Sequence, residues 1–198
     1  MTEDSGTGSR DRTRSEIRRI RSSSARLAAV QALYAFDVDA PAGEERPHQA
    51  SIRIETLVRA FMDGSLGSLA MIDVPDPLGV REPTEEREDL APPDGELFGL
   101  LARGTVHERA RIDEVLRASL SSDWPWERLE PLLRAVLRVS IYELLERPST
   151  PVPVIIKEYV DLAASFYSGP ERGLVNAVLD RLGRTLRSGA AGTDGFGS

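Results

Sequence analysis

Seven arginines stand between Ser9 and Arg26, at positions 10, 12, 14, 18, 19, 21 and 26, against two acids, Asp11 and Glu16. A guanidinium offers a planar fork of donors that suits phosphate oxygens, and its flat face stacks on unpaired bases. Arg18, Arg19, Arg21 and Arg26 are therefore a candidate RNA contact, with a solubilising segment as the plainer alternative. Gln31, further along the same stretch, can hydrogen-bond a base edge or simply face water. Other chemistry finds no footing. His48 and His107 are isolated, without metal-ligand spacing, and no Gly-x-Ser-x-Gly elbow occurs. Gly64-Ser65-Leu66-Gly67 lacks the lysine that a phosphate loop needs. Cysteine is absent, which excludes disulfides, thiolate zinc sites and cysteine nucleophiles and fits a reducing compartment. No catalytic residue, metal or cofactor is expected.

The elements that must position these residues read as helices. Residues 1–21 are polar, with Ile17 and Ile20 their main apolar positions, and are expected to be disordered when free. A helix is expected to begin at Ser22-Ser23-Ser24, whose hydroxyls can cap a first turn, and to carry Leu27, Val30, Leu33, Tyr34 and Val38 on one face until Pro41 and Gly43. A second helix fits residues 49–62, with Ile52, Leu57, Val58, Phe61 and Met62 as its apolar positions. Residues 63–94 are punctuated by Gly and Pro; a short helix over 66–71 and an acidic connector over 72–94 are expected. Four further helices are predicted over 95–120, 124–146, 153–167 and 171–187, with Leu100 and Phe166 among the core positions and a Gly/Ala-rich tail after them. Trp124 and Trp126 read as a staple at a helix start. Asn176 and Asp180 read as structural polar groups, and Lys157, Glu158 and Asp161 as a solvated or inter-helix charge cluster. No period-2 pattern appears, so the fold class is all-α.

The formal net charge of -7 argues against a generic nucleic-acid binder, but the charge is polarised. Seven acids and one arginine lie between Glu82 and Glu96, far along the chain from the basic arm. Screening limits the reach of distant charges to roughly 8 Å at physiological salt, so a basic arm can act locally. No apolar run approaches the ~18 residues of a membrane span, and the first thirty residues show no secretory pattern. A cytoplasmic protein without a membrane partner is expected. The organisation reads as a basic arm (1–21), an N-terminal helical subdomain with its connector (22–94), a C-terminal helical subdomain (95–187) and a tail (188–198).

Two stretches carry a family pattern, one over Ala25 to Tyr34 and one running from Leu129 to Leu182. Ala25-Arg26-Leu27-Ala28-Ala29-Val30-Gln31-Ala32-Leu33-Tyr34 resembles the opening helix of the NusB family. Leu137-Arg138-Val139-Ser140-Ile141-Tyr142-Glu143-Leu144 and Val152-Pro153-Val154-Ile155-Ile156-Lys157-Glu158-Tyr159-Val160-Asp161-Leu162-Ala163 resemble its second half, followed in order by Leu174-Val175-Asn176-Ala177-Val178-Leu179-Asp180. The matches span about 65 of the 198 residues, and the variants are similar to alphaproteobacterial members. The resemblance implies a bundle of two packed three-helix subdomains and no catalysis. It implies binding of boxA RNA with the small-subunit ribosomal protein that acts as NusE, alongside other Nus factors and RNA polymerase. It places Tyr34 beside the RNA site, where a ring can stack on a base, or else at the edge of the core. It marks the turn before the last helix as a second RNA-facing region, where Arg172 can meet phosphate at a helix N-terminus. It implies a partner surface on the helix carrying Glu127, Arg134 and Arg138. Ser22-Ser23-Ser24, where the family often has basic residues, and Pro170 and Leu174 depart from the pattern. Two alternatives remain: the NusB-like domain of a ribosomal RNA cytosine methyltransferase, and a helical adaptor that has lost RNA binding.

Overall fold

In a computed structural model, residues 6–40, 45–64 and 92–190 are described, and among them every regular element is helical. The order is α1 (Gly6–Val38), α2 (Pro47–Met62), α3 (Gly95–His107), α4 (Arg109–Ser119), a 3-10 turn (Trp126–Arg128), α5 (Pro131–Glu146), α6 (Val152–Phe166) and α7 (Glu171–Ala190). The expectations for 66–71 and 72–91, for Pro41 and Gly43 as a stop, and for the tail beyond Ala190 lie outside the described residues.

α1 is the spine. Ala25, Ala29 and Ala32 are fully buried, so the helix presents almost bare backbone to its neighbours and packs against α2, α3 and α5 at once. Val30, Leu33 and Phe36 fill the spaces beside that strip. α3 therefore joins α1 and α2 by packing, although it follows the connector at which the subdomain boundary was expected. α5 touches α1 and α3 on one side and α4, α6 and α7 on the other, and its residues from Ala135 to Leu144 are all buried. Two glycines permit close crossings. A Cβ on Gly104 would meet the Tyr142 ring at 2.0 Å, and one on Gly183 would meet Val152 at 2.5 Å.

α1 departs most from the reading. It begins at Gly6, so the stretch expected to be disordered is helical from there, and Ser22-Ser23-Ser24 lies inside the helix. Arginine is a good helix former, and Ser23 does not cap: its hydroxyl donates to Glu158 of α6, with Arg19 O the more distant acceptor at 3.1 Å. The helix predicted over 95–120 breaks at Glu108 (φ -90°, ψ 13°), with no Gly or Pro to announce it. The helix predicted from 124 starts at Pro131, because a residue before proline is driven to extended backbone, as Glu130 is (φ -60°, ψ 150°). On α2 the core positions are Ile54 and Val58, while Ile52 and Met62 stay exposed, as do Leu100, Phe166 and Val38.

Candidate nucleic-acid interface

The first half of α1 carries Arg14, Arg18, Arg19 and Arg21, all exposed. Arg14, Arg18 and Arg21 recur at four- and three-residue steps, which puts them on one face of the helix. With Ile17 they form one wall of a groove of about 740 Å³. Met62 at the end of α2 and the first turn of α3 form the other wall. Arg21 holds the groove's inner end: its Nε donates to Pro92 O (3.2 Å), and its own carbonyl accepts from Asp94 N (3.0 Å). Asp94 caps α3 by accepting from Leu97 N. Arg19 lies off this face. Gln31 and Tyr34 are half-buried, three residues apart, and Tyr34 rests against the core. Arg172 is exposed in the first turn of α7 and lines a different groove, between α6 and α7, so the structure does not bring it to the α1 groove.

Arg26 corrects the sequence reading. It is 6% exposed, and all three of its guanidinium nitrogens are taken. Nε and Nη2 donate to the two Glu143 oxygens (2.9 and 2.7 Å), and Nη1 donates to Glu158 (3.3 Å). Glu143 also accepts from Tyr159 Oη at 2.8 Å. Burial works against the Arg26 charge, but the bond to Glu143 and the charge beside it more than offset that and raise its pKa. Burial first, and then the neighbouring Glu143 carboxylate, push the Tyr159 phenol well up, so it serves as a neutral donor. Together with the Ser23–Glu158 bond, this network ties α1 to α5 and α6 and turns the Arg26 guanidinium into the core, away from any RNA at the surface.

Arg138 is corrected in the same way. It is 2% exposed; its Nε and Nη2 donate to Asp113 (2.7 and 2.9 Å), and Nη1 donates to Asp37. Asp37 is shared with Arg109 at 3.1 Å. Burial, and then the nearby Arg138 charge, lower the Arg109 pKa. This second cluster joins α1, α4 and α5 and faces inward. Of the expected partner residues, Glu127 is exposed on the 3-10 turn and Arg134 is half-buried at the start of α5. Arg134 donates to Leu129 O (2.9 Å). Trp126 staples this corner: the guanidiniums of Arg117, Arg134 and Arg138 lie 4.2, 5.3 and 5.4 Å from its ring centroid. Lys157 and Asp161 pair along α6, and Asp180 pairs with Arg184 along α7, both at the surface. Glu158 belongs instead to the buried network.

Sequence reading missed Arg14 and Met62 as groove residues. The steps from Arg14 to Arg18 and Arg21 were the available signal for the first. Met62 had none, because α3 reaches it only after the connector. Among the described residues, no group of three His, Asp or Glu could hold a metal ion, and no helix is long and apolar enough to cross a membrane.

Comparison with known proteins gives a consistent picture. The family model described as NusB family matches residues 55–184. The transcription antitermination protein NusB of Rhodospirillum rubrum is 56% identical over 190 residues, which is 96% of this chain and 97% of that protein. The protein of the same name from Mesorhizobium japonicum is 39% identical over 175 residues, covering 86% of this chain and 93% of its own. The solved structure of T. maritima NusB superimposes with a TM-score of 0.52 at 22% identity, over 82% of this chain and 89% of that one, and so shares the fold.

Proposed function

The chain belongs to the NusB family, one of non-enzymatic transcription regulators, and on that premise we propose that it acts in antitermination by binding boxA-type RNA together with the ribosomal protein that acts as NusE. The complex joins other Nus factors on RNA polymerase in the cytoplasm and promotes transcription of ribosomal RNA. The observation that carries the RNA reading is the exposed row of arginines on a helix continuous with the core. A helix holds guanidiniums at fixed spacing along a phosphate backbone, so less side-chain and chain freedom is lost on binding than from a disordered arm. Arg18 and Arg21 on that row, with Arg19 on another face of the same helix, are the phosphate contacts, Gln31 and Tyr34 the base contacts further along α1, and Arg172 a secondary contact. Glu127 and Arg134, beside the Trp126 corner, form the protein-partner surface.

Fluorescence anisotropy with boxA RNA, with and without the ribosomal partner, tests this. Changing Arg18, Arg19 and Arg21 together to alanine is expected to weaken binding and reduce the slope of log K against log salt by about 2, from ~0.7 per lost contact on single-stranded RNA. Tyr34→Ala is expected to cost about 1–3 kcal/mol of affinity with no change of slope. Charge reversal at Glu127 and Arg134 is expected to reduce capture of the partner and leave binding of RNA alone intact. An unchanged affinity and slope in the triple variant would refute the arginine row as the RNA site.

A further inference from the structure

The groove beside α1 has chemically unlike walls. On the α1 side Arg14 and Arg18 make no ion pair with another described residue, and Ile17 between them is 48% exposed. On the other side Met62 is 56% exposed, and its methyl group lies over Gly95, where a Cβ would come within 2.5 Å of it. Glu96, in the first turn of α3, lines the groove as well. Asp94 is already engaged as the α3 cap, which leaves Glu96 as the carboxylate at that wall without a bond to a described residue. Arg103 of α3 also lines the groove, but its charge is paired with Glu55, so a phosphate backbone is drawn to the first wall rather than to the side of Glu96. A base is suited to the second wall, because its face packs on the thioether and its edge can donate to a carboxylate. Carboxylates accept from exocyclic amino groups, as on cytosine N4, and cannot accept from a uracil carbonyl.

We propose that this groove is a base-reading subsite of the RNA site. One unpaired nucleotide lies with its phosphates along Arg14 and Arg18, its base between Ile17 and Met62, and its exocyclic amino group on Glu96, so that an amino-bearing pyrimidine is preferred over uracil. The proposal rests on the RNA-binding reading above and adds the residues and the base preference. An acidic protein segment is the other polyanion that the arginines could attract, but it would gain nothing from Glu96.

The test uses the full chain and fluorescein-labelled dodecamers of oligocytidine and oligouridine. These differ at the amino-for-carbonyl position and at the ring nitrogen beside it. The wild type is expected to bind oligocytidine about fivefold or more tightly than oligouridine, the low end for one base-edge contact. Glu96→Gln is expected to bring the two affinities together, since an amide can serve either edge. Met62→Ala is expected to weaken both by about fivefold without changing the salt slope, as for loss of one packed base. Both side chains are exposed, so neither change threatens the fold. Equal tightening of both oligonucleotides by Glu96→Gln would show that the carboxylate only repels phosphate and would overturn the proposal. So would equal wild-type affinities, or an unaffected Met62→Ala. Absence of binding to either oligonucleotide or to boxA RNA would defeat the RNA reading itself, an outcome distinct from loss of base preference alone.

Discussion

Replacing Arg26 by alanine would leave Glu143, 0% exposed, with Tyr159 as its remaining hydrogen-bond donor. Three charge-assisted bonds disappear, two to Glu143 and one to Glu158, and a carboxylate is stranded in the core. Breaking a buried pair by removing one partner typically costs about 3–5 kcal/mol. Total domain stability is only about 5–15 kcal/mol, so the variant should fold with a small margin. For a chain of this size each kcal/mol lowers Tm by roughly 2–4 °C, so a drop on the order of 10 °C is expected by circular dichroism. Changing Glu143 to Gln in the same chain removes the stranded charge and keeps an acceptor for Tyr159, so part of the loss should return. Because Arg26 faces α5 and α6, RNA affinity measured well below Tm, and its salt slope, should match the wild type. An Arg26→Ala protein with wild-type Tm and a slope reduced by about 0.7 would refute this reasoning and return Arg26 to the RNA face.

Stability should fall above about pH 10, the ordinary tyrosine value. Burial pushes the phenols of Tyr142, Tyr159 and Tyr167 up in the folded state. The unfolded chain then loses its phenolic protons first, so the stabilisation present below pH 10 is lost as pH rises toward the folded pKa values. Denaturant midpoints between pH 8 and pH 11, followed with tyrosinate absorbance, check the sign; a midpoint rising with pH would contradict it. Gly104→Ala should lower Tm despite the gain of roughly 1 kcal/mol that alanine has over glycine in a helix. Its Cβ would sit 2.0 Å from the Tyr142 ring, which is only 7% exposed and has little room to move, and such overpacking costs about 1–3 kcal/mol.

The elements legible in the sequence are those that proline and apolar spacing mark together. α2, α6 and α7 begin within two residues of the positions expected, at Pro47, Val152-Pro153 and just after Pro170. Proline also explains the error at α5, where its own position sets the start and the preceding Trp126–Arg128 turn looked like helix. The break at Glu108 was invisible because apolar spacing runs through it and no residue there resists the helix. The start of α1 was missed for the opposite reason. Too few apolar residues suggested disorder, yet the arginine-rich turns before Ser22 extend a helix already nucleated by the buried segment from Ala25 to Phe36.

The candidate site was half legible, and the missing half depends on where each arginine faces. Composition treats Arg18 and Arg26 alike, and the partners that separate them, Glu143 and Glu158, lie 117 and 132 residues from Arg26. A local signal existed nonetheless. Positions four and seven after Arg26 are Val30 and Leu33, both fully buried, so the helix places Arg26 on a face already committed to the core. Positions four and seven after Arg14 are Arg18 and Arg21, a face whose apolar member, Ile17, stays exposed. Arg138 obeys the same rule from the other direction: its following positions at those steps, Tyr142 and Leu145, are buried and half-buried. An arginine whose helical neighbours are core residues must carry its own counter-charge inward. One whose neighbours are arginines remains available for an anion from outside.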